Sequence, residues 1–223
     1  MSGEEEKRKP SLEAALGELP LFPLSEVVLF PNVLLPLHIF EPRYRTMLAD
    51  CLASHGAMAI VHVEDATDVD EHGEPRIAKI AGAGRIVGHE PLPDGRANIV
   101  LRGVARVEIE ELPLVGPYRR ARAKILSDDS AIVAEPEKMA LLSTASAFAA
   151  AVRKHDPSFS FVIPTNMSAP VLADLCAHHL MVDPKARQAV LEERDPTERV
   201  RIVASELIVQ QKTLFGTGSG VLH

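Results

Sequence analysis

From Leu19 onward, short apolar pieces are interrupted by Pro20, Pro23, Pro31 and Pro36. Proline removes a backbone donor and blocks a helix interior, so pieces such as Val27-Val28-Leu29-Phe30 and Leu34-Leu35 read as short strands and turns. At Glu41-Pro42 the period changes. Tyr44, Met47, Leu48, Cys51 and Leu52 recur at three- and four-residue spacing, which predicts a helix with one buried stripe. Pro42 suits its first turn and Gly56 its end. Residues 57–63 are a compact apolar strand, and the acid-rich residues 64–74 read as a solvated loop.

A meander follows. Residues 77–90 predict a strand loosened by Gly82, Gly84 and Gly88, and Pro93-Asp94-Gly95 predicts a turn. Ala97, Ile99 and Leu101 then alternate with Asn98 and Arg102, and Val107 and Ile109 with Arg106, Glu108 and Glu110. Ala121, Ala123 and Ile125 alternate with Arg120, Arg122 and Lys124 in the same way. Period two predicts antiparallel strands with one face inward. After Ser127-Asp128-Asp129-Ser130 the period becomes helical. Residues 136–152 place Leu141, Ala145, Phe148 and Val152 on one stripe, and a further helix spans 168–180. Two more begin at Asp183-Pro184 and Asp195-Pro196, where aspartate suits the N-cap and proline the first turn. The last helix is expected to turn Val200, Val203, Leu207 and Leu214 inward. Strands followed by helices define an α+β class. The expected organisation is a loosely attached leader (1–18), a β-rich part (19–129), a helical part (130–215) and a frayed tail (216–223).

Composition narrows the function. At 46% hydrophobic and 25% charged the chain is of globular type. It has no apolar run of bilayer length and no secretory signal in residues 1–18, so the expected location is cytoplasmic. The net charge of −7 is spread along the chain, which argues against a nucleic-acid partner. Cys51 and Cys176 lie in helical patterns beside apolar neighbours and read as small buried side chains rather than a disulfide.

Tests for chemistry fail one by one. No Gly-Lys dipeptide occurs, which excludes a Walker-type phosphate loop. Gly82-Ala83-Gly84 is followed by strand-like residues rather than a helix, so it reads as a closely packed strand. Asp68, Asp70 and Gly73 match part of an EF-hand loop, but His72 and Lys79 occupy ligand positions. Cys176 and His179 share a helix face, yet no second ligand pair accompanies them. There is no Gly-x-Ser-x-Gly elbow. The basic stripe of Arg120, Arg122 and Lys124 reads as a solubilising face. The expectation is a non-enzyme with no cofactor and no metal site.

One block is more specific. Leu19-Pro20-Leu21-Phe22-Pro23-Leu24, then Val28-Leu29-Phe30-Pro31, then Leu35-Pro36-Leu37-His38-Ile39-Phe40-Glu41-Pro42-Arg43-Tyr44 resembles the opening of the Lon protease N-terminal substrate-binding domain. Gly84-Arg85-Ile86, the turn at Pro93-Asp94-Gly95-Arg96, and residues 98–106 continue the resemblance in order. It implies a PUA-like twisted β pseudo-barrel with an embedded helix, followed by a C-terminal helical bundle. It further implies a free-standing form, without the AAA+ ATPase and Ser–Lys peptidase domains of full-length members. The expected function is protein or peptide recognition, as an adaptor or regulator of proteolysis. The expected partners are unfolded or peptide segments and a protease system, with no membrane and with room for a homodimer. PUA-like folds also bind RNA, so a nucleic-acid-binding protein is the alternative. Most aromatic residues of the block, Phe22, Phe30, Phe40 and Tyr44, are expected in the core. An apolar groove between sheet and bundle is the expected peptide site, with Leu37, Ile39, Phe40 and Tyr44 as candidates. Arg85 and Arg102, on strands, join them, and ion pairs to Glu41 or Glu26 are their plainer expectation. An open strand edge could accept an extended peptide instead.

Overall fold

The computed structural model describes residues 11–70, 73–129 and 132–215. Most of the expected leader, His72 and the expected tail lie outside them. Seven strands come first: β1 (Leu19–Leu24), β2 (Leu34–Ile39), β3 (Ala57–Val69), β4 (Pro75–Ile77), β5 (Ile80–Pro91), β6 (Ala97–Glu111) and β7 (Arg120–Leu126). Helix α1 (Pro42–Ala53) is embedded between β2 and β3, and α2 (Glu135–His155), α3 (Ala169–Leu180), α4 (Pro184–Glu192) and α5 (Pro196–Phe215) follow. The strand order is β1-β7-β6-β5-β3-β4, and a parallel β1–β3 pairing closes the sheet on itself. Strand β6 makes the closure feasible. One of its edges pairs with β5, while the other takes β2 at residues 97–102 and β7 at residues 106–111. Register shifts between Ala83 and Gly84 and between Ile86 and Gly88 bend β5 to match. The α+β pseudo-barrel with its embedded helix is therefore as expected.

Local sequence explains the helix starts. Proline stands in the first turn of α1, α2, α3 and α4, where its missing N–H costs nothing. The Asp183 carboxylate accepts the Lys185 N–H at 3.1 Å and caps α4. Two inward assignments fail. Leu52 is 43% exposed because α1 is covered from one side and its buried stripe stops at Tyr44, Met47, Leu48 and Cys51. Leu214 is 52% exposed. The buried face of α5 runs to Gln210, whose amide donates to the Leu180 carbonyl at the end of α3, and in the next turn Phe215, packed on Phe148 and His155, faces the bundle in place of Leu214.

Three other expectations are corrected. Packing begins at Leu12 rather than Leu19, since Leu12 and Ala15 plug the barrel core and Leu16 accepts the Ala123 N–H at 2.8 Å. Residues 64–69 are not a loop but continue β3 and pair with β4. Arg76 makes that possible by facing Glu64 at 2.9 Å and Asp68 at 3.7 Å, which offsets the crowding of acids. Residues 27–30 form no strand. They cross the sheet, and their side chains alternate between two cores. Val28 and Phe30 enter the bundle core, while Leu29 enters the core between α1 and the sheet. Gly82 and Gly103 permit the crossing, because a Cβ on either would collide with the carbonyl of Leu29 or Phe30. Gly82-Ala83-Gly84 is thus a close-packing device in a strand. Below it, the Arg106 guanidinium reaches from β6 to Asp174 on α3 at 3.0 and 2.5 Å, and ties sheet to bundle.

Candidate functional site

Helix α1 covers one face of the β2–β6–β5 sheet, and the alternation of β2 decides what remains outside. Leu35 and Ile39 are buried beneath α1 with Leu37 half-buried between them, whereas Leu34, Pro36 and His38 are exposed. Cross-strand partners share a face. The register therefore lays out three rows on the outer face: Leu34–Arg102–Arg85, Pro36–Val100–Gly88 and His38–Asn98–Glu90. The last two rows line a shallow hollow of about 480 Å³. At its polar end His38 Nδ1 lies 2.8 Å from Asn98 Oδ1, and Asn98 Nδ2 donates to Glu90 at 3.1 Å. Arg96 approaches His38 Nε2 at 3.4 Å. With a proton on Nδ1 the ring donates to Asn98 Oδ1 and accepts from Arg96 at Nε2.

The outer edge of β2 is open, since among the described strands β2 pairs with β6 alone. The Gly103 N–H donates to the Val33 carbonyl at 2.9 Å, which sets the alternation of backbone direction. Leu35, Leu37 and Ile39 then bond to β6, and Leu34, Pro36 and His38 turn their backbone groups outward. Pro36 contributes an acceptor to that edge and no donor.

The six residues singled out from the sequence separate cleanly. Ile39 and Tyr44 are core. The Tyr44 ring packs on Phe22 at 4.3 Å between centroids and carries the Arg43 guanidinium at 4.6 Å, and burial pushes its hydroxyl up to about 12. Leu37 backs the hollow from within the sheet. Phe40 is 58% exposed, against the expectation of a core position, and stacks beside His38 at 6.1 Å. Arg85 and Arg102 are direct cross-strand neighbours, and among the described residues neither pairs with Glu41, Glu26 or any other acid. The expected groove between sheet and bundle is filled by Val28, Phe30 and Val33. Leu34, Pro36, His38 and Val100 were missed, although the parity of positions 34, 36, 38 and 40 already groups them on one face.

Other chemistry is quiet. Burial pushes the thiols of Cys51 and Cys176 up to about 12, so both are protonated and unreactive near neutral pH. Among the described residues no group of three or more His, Cys, Asp or Glu could hold a metal ion. No described helix is long and apolar enough to cross a membrane. The basic stripe on β7 is matched by β6, with Arg122 opposite Glu110 and Lys124 opposite Glu108.

A closed barrel with an embedded helix, a bundle fastened to it and one sheet face left exposed beside an open strand edge define a domain of α+β type. Residues 18–208 match the ATP-dependent protease La (LON) substrate-binding domain, and the chain belongs to that family. It is 31% identical over 200 residues to Lon protease of Roseiflexus castenholzii, covering 88% of this chain and 24% of that protein. It is also 31% identical over 188 residues to Lon protease 2 of Herpetosiphon aurantiacus, covering 82% and 23% respectively. The chain thus spans about a quarter of the length of the curated relatives it matches. Among solved structures it is similar to a Lon N-terminal domain protein from Xanthomonas campestris, with TM-score 0.61 and 20% identity over 84% of this chain and 97% of that one. The N-terminal domain of a Mycobacterium avium complex Lon protease superposes with TM-score 0.64 at 16% identity, over 86% and 98%. These two establish the fold.

Proposed function

We propose that the chain is a non-catalytic recognition module that binds extended polypeptide segments in the cytoplasm and serves a proteolytic system as adaptor or regulator. The observation that carries this reading is the apolar hollow on the β2–β6–β5 face beside the open edge of β2. An extended segment can add main-chain hydrogen bonds along such an edge while its side chains reach the adjacent face. Nucleic acid fits less well, because the chain carries −7 and its basic stripe stands opposite glutamates.

The test is binding of fluorescently labelled, unfolded casein to the full chain in the absence of nucleotide. Leu34→Asp alters an exposed side chain at the edge of the site, and Leu52→Asp alters an exposed one on α1. Leu34→Asp is expected to weaken binding about tenfold, the equivalent of roughly 1.4 kcal/mol, and Leu52→Asp to leave it unchanged. Absence of binding at high protein concentration, or equal effects of the two substitutions, would defeat the reading.

A further inference from the structure

Resting on the peptide-binding reading, the face also carries an unanswered charge. Arg85 on β5 and Arg102 on β6 are register partners, with Leu34 completing their row. Like charges directly opposite one another destabilise a sheet. Elsewhere the chain answers its sheet arginines with acids: Arg106 meets Asp174, Arg120 meets Glu18 and Arg122 meets Glu110. Among the described residues Arg85 and Arg102 have no such partner. The Nε of half-buried Arg85 is shut off from solvent without an acceptor. A donor left in that state is costly to keep, and the exposed Arg102 guanidinium beside it stands open to a carboxylate.

Spacing then specifies the ligand. Arg102 lies two residues beyond Val100 on the same strand and the same face, about 6.7 Å along it. An extended segment paired along the open edge of β2 repeats its own same-face side chains at that interval, opposite Leu34, Pro36 and His38 in turn. An apolar side chain seated over Pro36, Val100 and Gly88 therefore places the side chain two residues away at the arginines. At the other end of the face stands Glu90, whose charge would repel a second acid there. We propose that this face selects extended polypeptide segments in which an acidic side chain lies two residues from an apolar one, with its carboxylate held between Arg85 and Arg102.

The experiment measures fluorescence anisotropy of short labelled peptides with the full chain. Three peptides carry Leu-Ser-Glu, Leu-Ser-Gln or Leu-Ser-Lys between Gly-Ser flanks, with both termini blocked. The Glu peptide is expected to bind about tenfold more tightly than the Gln peptide, with the Lys peptide weakest, and added salt should narrow the gap. Arg102→Glu changes an exposed side chain and is expected to reverse the order in favour of Lys. Arg85→Gln should reduce the preference for Glu, with thermal melts confirming that both variants fold.

Equal binding of the Glu and Gln peptides, or a preference that survives both substitutions, would overturn the proposal while leaving peptide recognition intact. So would binding confined to a version with a free C-terminal carboxylate, which would make the chain end and not the side chain the ligand. Failure of all three peptides where unfolded casein binds overturns the acidic preference alone. Failure of both probes removes the underlying reading as well.

Discussion

Arg106 and Asp174 show what a single residue pair does for this molecule. Their side chains are 5% and 4% exposed, and Arg106 Nε also donates to the Leu191 carbonyl at 2.9 Å. Burial raises the Asp174 carboxyl above the ordinary carboxylate range, against the opposing hydrogen bonds and charge of Arg106 and the charge of Arg199. Such a pair contributes little net stability over an apolar contact of equal size, but removing one member strands the other. Asp174→Ala is therefore expected to cost about 3–5 kcal/mol in urea unfolding, and the double substitution Arg106→Met with Asp174→Leu to recover most of that. The sequence does not disclose the pair. Arg106 reads as one polar position of an alternating strand, and its partner lies 68 residues away in another element.

At the scale of elements, the helix starts were legible because they are written locally, in Asp-Pro and Glu-Pro steps that act within one turn. The antiparallel meander was legible through its period of two. The crossing of residues 27–30 was not, because their apolar run faces two cores at once, and periodicity describes only one face at a time. Leu52 is misplaced for a related reason, since period locates a stripe but not how far its cover extends, and at the end of α5 the inward position passes from Leu214 to Phe215. The candidate site was half legible. Positions 34, 36, 38 and 40 share a parity, yet which parity faces outward depends on where α1 docks, a fact carried by Tyr44, Met47 and Cys51 rather than by β2 itself. The crossing supplies the prediction at this scale. Gly103→Ala would force a methyl group into the Phe30 carbonyl, at a cost of about 1–3 kcal/mol. The loss should show as a lower melting temperature whether β or helical signal is followed, because Leu29 and Phe30 serve both sides of the seam.

For the whole molecule, four histidines held neutral by their surroundings shape the response to acid. Burial, with the charges of His179 and Arg187, holds His178 down to about 4, opposed by the Val28 backbone, and burial likewise lowers His55, His62 and His179. The folded chain keeps these rings neutral, while the unfolded chain protonates them near 6.5. Between those values the unfolded state binds more protons, so stability falls as pH drops below about 6.5. For His178 the loss is complete only below about 4. Its share is on the order of 2 kcal/mol once solvent screening is allowed for. Urea midpoints measured from pH 7 down to pH 4.5 should decline for the natural chain and decline less for His178→Gln.

Pro36 has a consequence for how copies of this chain behave when crowded. Strand edges that offer a full set of donors and acceptors copy themselves, each added strand presenting the same template to the next. Here the middle of the edge accepts and cannot give. Two copies meeting edge to edge would set one incomplete ladder against another, so growth into fibres is discouraged at its first step. A guest segment with an intact backbone can still donate its own N–H to the Pro36 carbonyl and pair fully with the residues on either side. The same imino acid that leaves a place for a foreign strand also makes the chain a poor guest for itself.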